Sequence, residues 1–144
     1  MADLHTHHNV YNTHYHIVFP VKYRKALLTN DIPLAIVAIA REISERYEFD
    51  FEKIGCDNDH LHLLVSFPPK YSGSTVVGRF KSLTAKRLFL QFPALRKELW
   101  GGEFWSDGFY LATVSERGNW QVVEQYVANQ GKTKGGPQQL RLLT

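Results

Sequence analysis

Cysteine is almost absent from this 144-residue chain, and the single Cys56 excludes an internal disulfide. Long apolar runs are missing too. The longest apolar stretch free of charge, 32–40, contains Pro33 and falls far short of the roughly 20 residues that cross a bilayer, so no membrane partner is expected. No basic segment followed by an apolar one opens the sequence, which leaves the cytoplasm as the expected compartment. Neither a fixed-period repeat nor a low-complexity run divides the chain. The expectation is one domain over 1–144, with 1–10 and 132–144 as loose ends. A glycine-rich nucleotide loop is also lacking. Gly131-Lys132-Thr133 looks like the end of one, but five residues earlier, where the loop needs glycine, stands Tyr126. Excess charge is small as well: 17 Lys and Arg against 14 Asp and Glu give +3, too little by itself to name nucleic acid as a partner.

What is present is 44% hydrophobic residues, enough for a core, together with seven histidines and 13% aromatics. Residues 11–23 are rich in Val, Tyr, Phe and Ile and alternate, which predicts a first strand. Asn30 or Asp31 caps a helix in which Pro33 fits the first turn and Ile32, Ile36, Ile39, Ile43 and Tyr47 recur on one side. Residues 49–56 and 60–67 form a hairpin around Asp57-Asn58-Asp59. A second helix begins at Ser74 or Thr75, places Val76, Phe80, Leu83 and Leu88 on one side, and ends near Gln91 before Pro93. Residues 104–115 are β-rich, and Asn119 caps a short last helix that Gly131 ends. The order β-α-β-β-α-β-α predicts an α+β fold: a ferredoxin-like antiparallel sheet, helices on one face, and one additional C-terminal helix.

Side-chain alternation puts His60 and His62 on one face of the third strand, with Leu61, Leu63 and Val65 on the other. Two adjacent imidazoles can chelate a cation. His14-Tyr15-His16 has the same spacing, however, and spacing does not choose between the pairs. Tyr126 and Gln130, four apart, share a face of the last helix beside Trp120, Val123 and Val127. Basic residues gather at Lys22, Arg24 and Lys25 around Tyr23, and again at Arg79, Lys81, Lys86 and Arg87.

Nearly the whole chain resembles the single-tyrosine HUH transposases of bacterial insertion sequences. The residues that carry the resemblance are Tyr15-His16-Ile17-Val18-Phe19-Pro20-Val21-Lys22-Tyr23-Arg24, Asp59-His60-Leu61-His62-Leu63-Leu64-Val65, Phe80-Lys81, Trp105-Ser106-Asp107-Gly108-Phe109-Tyr110, and Tyr126 with Gln130. The resemblance implies that His60, His62 and Gln130 hold a divalent metal, Mg²⁺ or Mn²⁺, and that Tyr126 is the nucleophile. It gives His14 no such role. It implies single-stranded DNA hairpins at element ends as substrate, and a homodimer in which the tyrosine helix completes the partner's site in trans. Lys22, Arg24, Lys25, Arg79, Lys81 and Lys86 are then the expected phosphate contacts, with Tyr23, Tyr71, Trp105 and Phe109 as stacking residues.

The chemistry suits these residue types. A tyrosine hydroxyl that attacks a phosphodiester exchanges one ester for another, so resealing needs no nucleotide and the missing phosphate loop is no loss. Tyrosine is mostly protonated at neutral pH, with an ordinary pKa near 10, and the phosphate is anionic, so a polarising cation is called for. Two other readings are a ferredoxin-like nucleic-acid-binding module without catalysis, and a related HUH enzyme acting on chromosomal hairpin repeats.

Overall fold

The computed structural model describes residues 4–5, 10–11, 13–114 and 138–140, with side chains over 13–114. A short pair, β1 (Leu4–His5) and β2 (Val10–Tyr11), precedes the main body. There follow β3 (His14–Pro20), a 3₁₀ turn (Lys22–Arg24), α1 (Ile32–Tyr47), β4 (Asp50–Cys56), β5 (His60–Ser66), α2 (Gly73–Gln91), α3 (Leu95–Glu98), β6 (Tyr110–Val114) and β7 (Gln138–Leu140). The main sheet runs β6-β3-β5-β4-β7 with every neighbouring pair antiparallel. β3-α1-β4 and β5-α2-β6 interleave as two βαβ halves, the ferredoxin-like order, and β7 adds an outer strand to β4.

The expected elements lie close to their observed places. The first strand is shorter than 11–23: it ends at Pro20, and the basic segment turns into the 3₁₀ element instead. α1 begins after Asp31 with Pro33 in its first turn, and Ile32, Ile36, Ile39 and Ile43 are buried. Ser72, two or three residues before the expected start, caps α2 by accepting a bond from the Thr75 amide at 3.1 Å, an interaction worth about 1 kcal/mol. The short α3 between Pro93 and the glycine pair was not foreseen. Within 104–115 only Tyr110–Val114 is a strand, while Trp105 makes a single bridge to Val21. Strand pairing also reaches both segments expected as loose ends, at β1 and β7. The expected last helix lies outside the described residues.

The two faces of the sheet differ. Ile17 and Phe19 of β3, Ile54 and Cys56 of β4, and Leu61, Leu63 and Val65 of β5 pack with Ile36, Ala40 and Ile43 of α1 and Val76, Phe80 and Leu88 of α2. Phe80 sits edge-on to Phe19 at 5.8 Å, fixing α2 over the centre of the sheet. The opposite face carries His14, His16, Val18, His60, His62, Leu64 and Ser66, all buried.

Candidate metal centre and strand-binding surface

The paired register sets the site. Pro20 stands opposite His60 and Val18 opposite His62 on β3, while Gly55 stands opposite His62 on β4. Both imidazoles therefore lie on the face turned away from α1 and α2, as alternation predicts. His60 Nδ1 is 2.6 Å from Asp59 Oδ1. A carboxylate only accepts, so Nδ1 carries the proton and Nε2 keeps its lone pair. Asp59 Oδ2 in turn accepts from Arg24 Nε at 3.3 Å. His60 also borders a cleft of about 270 Å³ that Val18, Pro20, Arg24, Asp107, Phe109 and Tyr110 help to line.

His62 is held differently. Its ring lies directly over Gly55: a β-carbon there would stand 2.2 Å from Nε2 and 2.4 Å from Cε1. Glycine thus provides the space that the imidazole fills, the usual meaning of a glycine inside a strand. Burial first, then the neighbouring His16 and His60, lowers the His62 pKa to about 4. His16 is likewise lowered to about 4, by burial and then by Lys53. Both rings are neutral at pH 7, the form that binds metal.

The two His-x-His pairs, equal in spacing, are unequal in surroundings. His14 Nδ1 contacts Glu52 Oε1, and it lies 2.7 Å from Ser66 Oγ, which itself donates to Glu52 at 3.1 Å. That partly buried network ties β3 to β5 and β4. Among the described residues no three His, Cys, Asp or Glu side chains converge on a point that would hold a metal. Tyr126 and Gln130 lie outside the described residues.

The expected strand-binding residues divide. Trp105 does not offer a ring face: it is 4% exposed, edge-on to Phe19 at 4.9 Å, and its Nε1 donates to Thr84 Oγ1 at 2.9 Å. Lys81 is not a surface cation either. Its ammonium donates to the carbonyls of Ser106 and Gly108, each at 2.7 Å, and its pKa is lowered by burial although Asp107 opposes this. Lys81 therefore clamps the 106–108 loop beside the His60 cleft. Lys22 pairs with Glu103, Arg24 with Asp59 and Lys25 with Glu98. Arg79 lies over the rings of Tyr47 and Tyr71 at 4.7 and 5.3 Å. Tyr71 packs edge-on to Phe49 at 5.1 Å. Lys86 is exposed and lines a groove of about 650 Å³ between α2 and residues 102–109, to which Phe109 and Arg96 also contribute. Tyr23 is 52% exposed.

Asp59 and Gly55 were missed from the sequence. Alternation extended back from His60 would put Asp59 on the opposite strand face, but it ends the turn before β5, where strand alternation has not begun. The glycine within an otherwise strand-like run was the signal available for Gly55.

Among the described residues no helix is long and apolar enough to cross a membrane. A family model described as "Transposase IS200 like" matches residues 9–130. The chain is 31% identical over 121 residues to the ISDra2 transposase TnpA of Deinococcus radiodurans, covering 84% of this chain and 86% of that protein. It is 32% identical over 123 residues to the transposase for insertion sequence element IS200 of Salmonella typhimurium, covering 85% and 80%. A crystal structure of a transposase from Deinococcus radiodurans R1 superimposes with a TM-score of 0.73 at 28% identity, over 88% of this chain and 97% of that one. Sequence and fold agree: the chain belongs to the IS200-like transposase family and is a DNA transposase of an insertion-sequence type.

Proposed function

We propose that the protein is a metal-dependent transposase that cleaves and rejoins single-stranded DNA at hairpin-marked element ends through a covalent 5′-phosphotyrosine. The observation that carries this reading is the preparation of the two imidazoles. They are buried on one face, one turned by Asp59 so that Nε2 is available and the other seated in the space above Gly55. A purely binding surface has no need of either arrangement. The family match extends through Gln130, so Tyr126 and Gln130 fall within it.

His60, His62 and Gln130 would hold Mg²⁺ or Mn²⁺. Two neutral nitrogens and a carboxamide oxygen suit an open catalytic site better than a closed structural one. Bound there, the cation would polarise the scissile phosphate and stabilise the charge that builds on it. Tyr126 Oη attacks the phosphorus. The new bond is Tyr126 O–P, the bond broken is P–O3′, and the phenolic proton leaves the attacking oxygen while the 3′ oxygen takes one up. Rejoining is the reverse, with a 3′-hydroxyl as nucleophile and Tyr126 as leaving group. The enzyme acts as a homodimer, with the tyrosine helix of one subunit at the metal centre of the other.

The test is incubation of wild-type and Tyr126→Phe protein with labelled hairpin oligonucleotides from the DNA flanking the gene, in Mn²⁺ or EDTA, followed by a denaturing protein gel. A metal-dependent band at protein-plus-DNA mass that Tyr126→Phe abolishes is expected. Hairpin binding without any adduct, across metals and end sequences, would overturn the proposal and favour a non-catalytic binding module.

A further inference from the structure

The 3₁₀ turn at Lys22–Arg24 is held in an uncommon backbone state. Tyr23 and Arg24 both adopt left-handed conformations, with φ of 60° and 55°. For consecutive non-glycine residues this costs on the order of 1–2 kcal/mol each. The turn persists because it is fixed on both sides: the Val21 amide donates to the Asp59 carbonyl at 2.9 Å and the Lys22 amide to the Phe104 carbonyl at 2.8 Å. The consequence is that Tyr23 stands away from the core. Its hydroxyl donates to the carbonyl of Trp100 at 3.3 Å. Trp100 is 81% exposed, an unusual state for so large an apolar ring. Gly101 and Gly102, with φ of 102° and 79°, then turn the chain sharply away. Tyr23 and Trp100 border a cleft of about 200 Å³ together with Lys22 and Glu103.

We propose that Tyr23 and Trp100 form a stacking platform for an unpaired base of single-stranded DNA. The proposal rests on the reading of the protein as a single-strand transposase and adds a subsite to it. Position is one argument. Tyr23 adjoins Arg24, whose guanidinium contacts the Asp59 that orients His60, so the platform continues the rim of the candidate metal centre. Chemistry is the other. Lys22 and Lys25 already face Glu103 and Glu98 at 2.9 and 3.3 Å, so this patch has little net charge with which to attract a phosphate. What it offers is ring surface, and base stacking on aromatic side chains is sequence-tolerant. A strand with its scissile phosphate at His60 would lay a nearby base here.

The experiment is a binding titration of the full chain in EDTA with a fluorescein-labelled twelve-nucleotide oligothymidylate, repeated with an abasic strand of equal length and charge, each over a range of salt. Trp100→Ala should weaken oligothymidylate binding roughly 5- to 100-fold. Trp100→Phe should keep most of the affinity, and neither change should alter the salt dependence or the weaker binding of the abasic strand. Among the described residues Trp100 is not part of the core cluster, and a Tyr23→Phe protein checks that the effect is stacking and not the hydroxyl bond. Unchanged affinity in Trp100→Ala overturns the platform alone, as does an equal loss for both strands or a change in oligomeric state without a change in DNA binding. A wild-type protein that binds no single strand at all overturns the proposed function with it.

Discussion

Gly55→Ala probes the proposed metal centre through a residue outside the proposed ligand set. The added methyl would stand 2.2 Å from His62 Nε2, whereas ordinary contact begins near 3.4 Å, so the imidazole must retreat by about 1.2 Å. His62 is completely buried, which leaves it no free direction. Overpacking of this kind costs about 1–3 kcal/mol, and replacing a strand glycine returns about 0.5–1 kcal/mol of backbone entropy. The net expectation is a loss of roughly 1–2 kcal/mol in urea unfolding measured in EDTA. Metal binding should suffer more, since ligand distances tolerate only about 0.2 Å and misdirected ligands lower affinity on the order of 10- to 100-fold. Mn²⁺ affinity is measurable by calorimetry without any DNA. A double-mutant cycle isolates the cause: in a His62→Ala background the clash is gone, so Gly55→Ala should become neutral or mildly stabilising. An equal destabilisation in both backgrounds, or wild-type Mn²⁺ affinity in Gly55→Ala, would refute the reasoning.

Acid should unfold the metal-free protein through His16 and His62. Their folded pKa values near 4 lie below the ordinary 6.5, so their stabilising contribution is complete above pH 6.5 and is lost as pH falls toward 4. A drop of that size is worth roughly 3 kcal/mol for each ring. Asp50, raised by burial, works in the opposite direction at lower pH. His16→Gln should flatten the slope of unfolding free energy against pH over this window, and an unchanged slope would count against the assignment. Asp59→Asn should weaken Mn²⁺ binding about 10- to 100-fold, because an amide that turns its NH₂ to His60 Nδ1 reverses the tautomer; calorimetry reads this directly, and wild-type affinity would refute it. Lys81→Met should destabilise the fold by about 1–3 kcal/mol through the lost bonds to Ser106 and Gly108 while leaving the salt dependence of DNA binding intact. Lys86→Ala should instead spare stability, with the salt slope falling by about 1. Urea unfolding and a salt titration of the two variants distinguish them, and the reverse pattern would overturn the assignment of Lys81 to the loop.

What local pattern determines was legible. Period-two alternation placed His60 and His62 on one face and Leu61, Leu63 and Val65 on the other, and the helical spacing of Ile32, Ile36, Ile39 and Ile43 gave the buried side of α1. Those readings need only the sequence distance over which a strand or helix repeats. The two His-x-His pairs were indistinguishable for the same reason. What separates them is Glu52 and Ser66 around His14, contacts that depend on sheet register, and Asp59 beside His60, a contact that depends on the form of the turn before β5.

The expected DNA contacts that the structure places otherwise, Trp105 and Lys81, both pack with the segment 98–109, which has almost no regular structure of its own and takes its form from distant partners. Trp100 and Trp105 are five residues apart in Trp100-Gly101-Gly102-Glu103-Phe104-Trp105, and composition gives either an equal claim to the core. The bridge from Trp105 to Val21 and its bond to Thr84 draw one ring inward, while the positive-φ glycines separate it from the other, left outside. Lys81 reads as a phosphate contact on the polar side of α2 until the carbonyls of Ser106 and Gly108 are folded onto it. The same long-range closure brings Lys22 to Glu103 and Tyr23 to Trp100, 81 and 77 residues apart. The histidine pair is therefore a property of one strand, whereas the surface around it is assembled between segments. That difference explains why the shared face of His60 and His62 was legible in the sequence and the outward placement of Trp100 beside Tyr23 was not.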